Sequence, residues 1–351
     1  MGKKIGDWYY YSGVIHIHTT VSDGTRDIAE IIEIGREVEL DFMMFADHMT
    51  LEHRDRGYAG RYGNTLVIIG YEHNDADDKN HYLLFGTPGV YPEEMTALEY
   101  VAAGNRDGAL GIIAHPDEIR HRMADYPPYP WLDWSVNGYQ GMELWNHMSE
   151  WMERLTPQNR IMMALSPRKS MIGPTDRALK KWDELNQKQK CVGVASVDAH
   201  QFPYKIGPFT VQIFPYKVHF KALRTHLLMS EPLADKFEPA QQQVFEALRD
   251  CRVFFSNMRW GTADDFEFYA ENDNEQVVSG GALKSRHNAR LRIRLPERAK
   301  IRIVVDGQYV FEKVTDRLEY KVNDRGLYRV EVWKSKRGWI FSNHIRIGLE
   351  K

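Results

Sequence analysis

The stretch His16-Ile17-His18-Thr19-Thr20-Val21-Ser22-Asp23-Gly24 decides how the rest of this 351-residue chain is read. It closes a strand-like run, Gly13 to His18, and passes into a loop at Ser22-Asp23-Gly24. Residues two apart in a strand point to one face, so His16 and His18 can reach the same ion. Imidazole nitrogen suits zinc, iron or manganese, and Asp23 adds a carboxylate a short loop away. An HxH pair alone is more often two half-buried histidines than a ligand pair. The loop behind it makes this one specific.

Outward from that stretch, short apolar runs alternate with amphipathic ones to about residue 255, as βα units do. A helix is expected from Asp27 to Glu39, and strands over Phe42–Ala46, Leu66–Gly70, Tyr82–Phe85, Gly111–Ala114, Gly141–Leu144 and Cys191–Ser196. Polar residues fall just after these runs, at the end of an α/β barrel that carries its site. The segment Asp117 to Ser170 is rich in Trp, Tyr, Pro and Met, and reads equally as a substrate wall or as packing. Past Trp260 the texture changes to short alternating strands: Asp265–Ala270, Arg290–Leu295, Ile301–Asp306, Gln308–Phe311, Leu318–Val322 and Tyr328–Trp333. Asp306-Gly307 is a hairpin signal between two of them. The boundary is set at residue 258, with residues 259–351 a small antiparallel β-sandwich.

Four more signals fall beside strand ends. Asp47-His48 follows one strand, Glu72 follows Gly70-Tyr71, and His81 opens the run to Gly86. His115 closes Gly111-Ile-Ile-Ala-His-Pro116, and Asp198 and His200 repeat the two-residue spacing. Each alone is a structural residue more often than a ligand. Together, imidazoles and carboxylates converging on one place need a cation to offset their desolvation and repulsion.

The series HxHTxxSDG, DH, GxE, a histidine before an apolar strand, AHP and a late DxH resembles the PHP (polymerase and histidinol phosphatase) superfamily of metallohydrolases. The resemblance covers about the first 255 residues, and all nine ligand positions of that family are filled. It implies a distorted (βα)7 barrel with its cluster at the C-terminal ends of the strands, and two to three divalent ions (Zn, Mn or Fe). His16, His18, Glu72 and Asp198 would hold one ion, and Glu72, His81 and His115 a second, Glu72 bridging. Asp23, His48 and His200 would hold the third. Phe245-Glu-Ala-Leu-Arg249, Phe255-Ser-Asn257, Gly326 to Val332 and Trp339-Ile-Phe-Ser-Asn343 resemble the CehA/McbA-type branch, which includes carbaryl hydrolases. That branch usually reads Ser-Asn-Pro where His344 follows Asn343 here.

Function follows from such a cluster. Closely spaced metals supply hydroxide near neutral pH and neutralise charge on the attacked group. The favoured reaction is hydrolysis of a small phosphomonoester, nucleotide or short oligonucleotide, with Glu72, Asp198 and His200 as catalytic residues and Asp198 or His200 relaying protons. A carbamate or other carbonyl ester uses the same ligands. A non-catalytic metal-stabilised scaffold is the third reading. Glu143 and Asn146 match a strand-end motif of PHP proteins and suit hydrogen bonding behind the ligands. His53 and His73 read as solvated loop residues, while Arg61, Lys79 and Arg168 are candidates for a phosphate oxygen. His147, His219, His226, His287 and His344 fall in no motif.

Composition narrows the partners. The chain is 43% hydrophobic and 27% charged, with a formal charge of -3, and has no basic run. That weighs against a long nucleic-acid substrate. Two cysteines, Cys191 and Cys251, suit a reducing compartment. The first residues lack an apolar secretory core, and no run approaches the roughly 18 apolar residues of a membrane span. The expectation is a cytoplasmic protein without a membrane partner.

Overall fold

The computed structural model describes residues 3–120, 127–206 and 209–349. The strands that frame the site are β1 (Trp8–Ile17), β2 (Phe42–His48), β3 (Thr65–His73), β4 (Tyr82–Phe85), β5 (Leu110–Ile113), β6 (Gly141–Asn146) and β7 (Val192–Ser196). They are hydrogen-bonded in chain order. All nine residues of β3 are buried, as in a strand covered on both faces. Three backbone bonds bring the row's two ends together: Val197 N to Ile15 O, Ala199 N to His16 O and His18 N to Ala199 O, at 3.1–3.2 Å.

The strand directions differ from a uniform βα series. β1, β2 and β3 are parallel, and so are β5, β6 and β7. β4 runs antiparallel to both β3 and β5. Only residues 74–81 join β3 to β4, too few for a crossover helix, which needs a dozen or more. The reversal serves the site. Tyr82 of β4 pairs with His73 of β3, so His81 arrives at the edge where Glu72 lies.

Helices cover the outer side. In α1 (Ile28–Glu37), Ile28, Ile31, Ile32 and Gly35 are buried at helical spacing, and Asp27 caps the helix by accepting from Ala29 N. Helix α2 (Ala97–Arg106) opens with Thr96 N donating to Glu99 Oε2 at 2.8 Å. Helices α3 (His147–Arg154), α4 (Asp176–Asn186) and α5 (Phe237–Arg249) follow. In the aromatic segment, Trp131, Tyr139, Trp145 and Trp151 are buried in the core, whereas Leu132, Ile161, Met162 and Leu165 are exposed. Packing thus accounts for its tryptophans; residues 121–126, including Tyr126, lie outside the described residues.

Beyond β8 (Leu223–Met229) and β9 (Val253–Asn257) the chain turns to long antiparallel strands: β10 (Glu267–Glu271), β11 (Arg290–Val305), β12 (Gln308–Lys321), β13 (Gly326–Lys334) and β14 (Arg337–Ser342). Two expected pairs of short strands are single long ones, their ladder continuing across register shifts between Arg294 and Ala299 and between Ile303 and Val304. Asp306 and Gly307, both at positive φ, make the two-residue turn between Val305 and Gln308. These strands do not form a detached sheet. β8 pairs with β1 and with β9, and β9 pairs with β14 through Phe254 and Ser342. Their apolar residues build a core of their own around Leu291, Ile301, Val330 and Ile340, which also takes in Tyr10, Leu228 and Phe254.

Candidate metal centre

All nine residues expected as ligands converge. Glu72 sits at their middle, buried at the end of β3. Its Oε2 faces His16 Nε2 at 3.0 Å, His18 Nε2 at 3.3 Å and His48 Nδ1 at 3.4 Å. Its Oε1 faces His81 Nδ1 at 2.9 Å and His115 Nε2 at 3.0 Å. One carboxylate therefore serves two groups of imidazoles, one on each oxygen. Asp198 Oδ1 adds contacts to His18 Nε2 at 3.4 Å and His16 Nε2 at 3.6 Å. Asp23 Oδ2 lies 3.0 Å from His200 Nε2 and 3.7 Å from His48 Nε2.

The ligand atoms sort into overlapping sets, each within 4.8 Å: His18, Asp23, His48, His200; His16, His18, Glu72; His16, His115, Asp198; and His48, Glu72, His81. They differ in part from the threefold grouping that the resemblance implied: His115 falls with His16 and Asp198, and His48 joins Glu72 and His81. His18 provides the test of fit. It is buried, and neither ring nitrogen makes a hydrogen bond. Glu72 and Asp198 face His18 Nε2 at 3.3 and 3.4 Å without hydrogen-bonding it; a buried group left without a hydrogen bond costs about 1–3 kcal/mol, which a cation held with these carboxylates would recover.

The backbone is strained here. His16, His115 and Asp198 have φ of 72°, 26° and 49°. His16 also falls where the β1–β2 register slips between Ile15 and Ile17. An irregularity in the strand, and not the unbroken alternation expected from the spacing of His16 and His18, aims His16 at the cluster. The two rings lie 4.9 Å apart.

A second layer fixes the ligands. Glu143 is buried; its Oε1 lies 2.7 Å from His16 Nδ1, and its Oε2 accepts from His115 N at 2.7 Å and Asn146 Nδ2 at 2.9 Å. Asn146 also donates to Asp198 Oδ2 at 3.3 Å. Asp47 accepts from Thr19 N, Thr19 Oγ1 and Ser22 Oγ at 2.6–2.9 Å and so holds the loop that carries Asp23. The motif-matched roles of Glu143 and Asn146 thus have a geometric counterpart.

Electrostatics follow from burial and crowding. Burial pushes the Glu72 carboxyl up, but His16, His48 and His81 outweigh it and hold it well below the usual range. Asp198 is likewise held low against burial by His16, His18 and His200. Burial pulls the imidazoles down. Asp198 and Glu72 nonetheless raise His18 to about 10, and Glu72 and Asp78 raise His81 to about 9. His48 stays lowered, burial dominating. The carboxylates thus favour positive charge at these rings, which a divalent cation held by neutral imidazoles would supply.

Several contributors were not foreseen. Asn74 Oδ1 meets His48 Nδ1 at 2.9 Å and Asp78 Oδ1 meets His81 Nε2 at 3.1 Å. The polar run Asn74-Asp75-Ala76-Asp77-Asp78 directly after the GYEH motif was the available signal. Tyr129 accepts from His115 Nδ1 through its carbonyl at 3.0 Å and stacks its ring on His81 at 5.1 Å. Phe202 stacks on His200 at 6.0 Å. No local motif marks either aromatic.

The solvated-loop expectation for His53 and His73 fails. Both are buried: His53 Nε2 meets Thr19 Oγ1 at 2.7 Å, and His73 packs on Tyr100 at 4.3 Å, with burial pulling it down to about 4. Each supports the frame from behind the ligands. The three phosphate candidates are tied to backbone carbonyls instead: Arg61 to Ala234, Lys79 to Pro128 and Arg168 to Lys221.

No protein-family model matches the chain, and no curated protein matches it. Among solved structures, it is similar to a two-domain protein containing a predicted PHP-like metal-dependent phosphoesterase from Bacteroides vulgatus. That match has 12% identity and a TM-score of 0.49, and covers 98% of this chain and 97% of the other. It is also similar to PsfC from Pseudomonas syringae, at 13% identity and a TM-score of 0.41, over 69% of this chain and 96% of that one.

Proposed function

We propose that the chain is a metal-dependent hydrolase of the PHP superfamily that cleaves a small phosphoester. The observation that carries the reading is Glu72, whose two oxygens each face a different group of histidines at 2.9–3.4 Å. In this reading residues 1–258 form a distorted (βα)7 barrel and residues 259–351 a β-sandwich set against it.

His16, His18, Glu72 and Asp198 would hold one ion, Glu72, His81 and His115 a second, and Asp23, His48 and His200 a third. Two or three divalent ions, zinc, manganese or iron, would activate a water and neutralise charge building on the attacked group. The protein's own part is orientation and proton handling. Glu143, Asn146, Asn74 and Asp78 set the ring orientations of the ligand histidines. We assign proton transfer to His200 and Asp198, whose Nδ1 and Oδ1 lie 3.4 Å apart. Buried free thiols at Cys191 and Cys251 accord with a cytoplasmic protein. Among the described residues no helix is long and apolar enough to cross a membrane.

The test compares 4-nitrophenyl phosphate, a matched phosphodiester and a matched N-methylcarbamate on metal-loaded protein, with metal content measured alongside. Faster phosphoester turnover, lost together with bound metal in Glu72→Ala and His16→Ala, supports the reading. Dominant carbamate turnover would replace it with the carbonyl-ester reading. Wild-type turnover in His16→Ala, or protein that retains no metal, would overturn it.

A further inference from the structure

A cavity of about 580 Å³ lies away from the nine ligands, between the loop after β5, helix α3, the segment Ser170–Ile172 and the start of β14. Ile119, Met163 and Ile172 give its lining an apolar part, beside the polar Asn159 and Ser170. Arg337 joins it from the C-terminal sheet. The Arg337 Nη1 donates to the carbonyls of Ser170 at 3.2 Å and Met171 at 2.8 Å. Among the described residues no carboxylate stands within ion-pair distance of it, whereas Arg154, on the same lining, is already paired with Glu150 at 2.9 Å. Glu153, also on the lining, accepts from Ile119 N at 2.8 Å. Burial pushes its carboxyl up to about 7, which limits the repulsion it offers an incoming anion.

A guanidinium with no carboxylate in ion-pair distance among the described residues, beside three apolar side chains, matches one kind of guest. We propose that this cavity binds a small carboxylate carried on an apolar body, with Arg337 as its counter-ion. The fork of an arginine accepts a carboxylate through two parallel N–H bonds, and the apolar side chains take the rest of the molecule. A narrow cleft of about 60 Å³ shares Glu153 and Arg154 with the cavity and is lined by His115, Glu143 and Asn146. An occupant would therefore sit one cleft away from residues that hold the cluster. The C-terminal strands would contribute a binding residue as well as packing. The site stands apart from the hydrolase reading, and its test needs no turnover.

Benzoate is titrated calorimetrically into the full-length, metal-loaded protein, with benzamide as its uncharged match. One equivalent of benzoate should bind, at least about tenfold more tightly than benzamide. Arg337→Gln should remove that preference without changing metal content, and Arg337→Lys should retain part of it. Ile172→Trp, which fills the cavity and leaves Arg337 in place, should abolish benzoate binding even if Arg337→Gln proves unstable. Equal affinity for benzoate and benzamide, or unchanged benzoate binding in Arg337→Gln or Ile172→Trp, would overturn the proposal. So would loss of benzoate binding in His16→Ala, because the probe would then be sitting on the metal cluster.

Discussion

Replacing Arg329 by Met should expose how firmly the two halves of the chain are joined. Arg329, on β13, is buried and donates to both oxygens of Asp183 on α4, at 2.7 and 2.8 Å, and to Glu331 at 2.7 Å. His344 Nε2 also meets Asp183 Oδ1, at 2.7 Å. Arg329 and His344 hold the Asp183 carboxyl at about 2, against burial that would raise it. Arg329→Met leaves two carboxylates in the interior without their guanidinium, a change that typically costs about 3–5 kcal/mol. With an unfolding entropy of about 2.1 cal/mol/K per residue, the whole chain loses roughly 5 °C in Tm for about 4 kcal/mol. Calorimetric unfolding at pH 7 measures it. The pH dependence has a definite sign. A carboxylate whose folded pKa is depressed stabilises above its unfolded value near 3.8 and loses that contribution as pH falls toward 2. The gap between wild type and Arg329→Met should therefore narrow between pH 5 and pH 2. Adding Asp183→Leu to Arg329→Met should recover part of the loss, because it removes one uncompensated charge. A Tm for Arg329→Met within about 1 °C of wild type at pH 7 would refute this account of the joint.

Three further outcomes are expected. Glu143→Gln keeps shape but removes the charge behind His16 and turns one of the two oxygens that serve His16 Nδ1 and His115 N into a donor; metal affinity should fall about 10–100-fold, as read by competition with a chelator. In Gly24→Ala, the added Cβ would meet His18 C and O and Thr19 N at 2.7 Å; this should displace the Asp23 loop and reduce bound metal, measured by elemental analysis, while circular dichroism stays near wild type. Asn343→Ala strips the side chain that bonds Gly193 N, Gly193 O and Val253 O at 2.8–3.1 Å; with buried backbone groups left unpaired, chemical denaturation should show about 2–4 kcal/mol less stability.

Much of the candidate site was legible because metal chemistry restricts residue type. Only a few side chains offer nitrogen or oxygen donors, and their appearance beside successive apolar runs survives without any knowledge of how those runs pair. Tyr82–Phe85 was bounded correctly, and Asp306-Gly307 marked its turn, because both depend on local pattern and backbone preference. The expectation for His53 and His73 failed for the converse reason. Their burial depends on Thr19 and Tyr100, 34 and 27 positions away in sequence, and nothing local to either histidine announces those contacts.

The donor residues, from His16 to His200, and the change from mixed α/β to β texture near residue 260 are readable in the order of residues alone. Their arrangement came from packing. Packing set the strand irregularity that aims His16, the reversed strand that delivers His81 beside Glu72, and the Asp183–Arg329 joint between elements 146 positions apart. Strand direction, register and buried ion pairing arise from contacts between distant segments, and the energies that select them exist only once those segments are packed together.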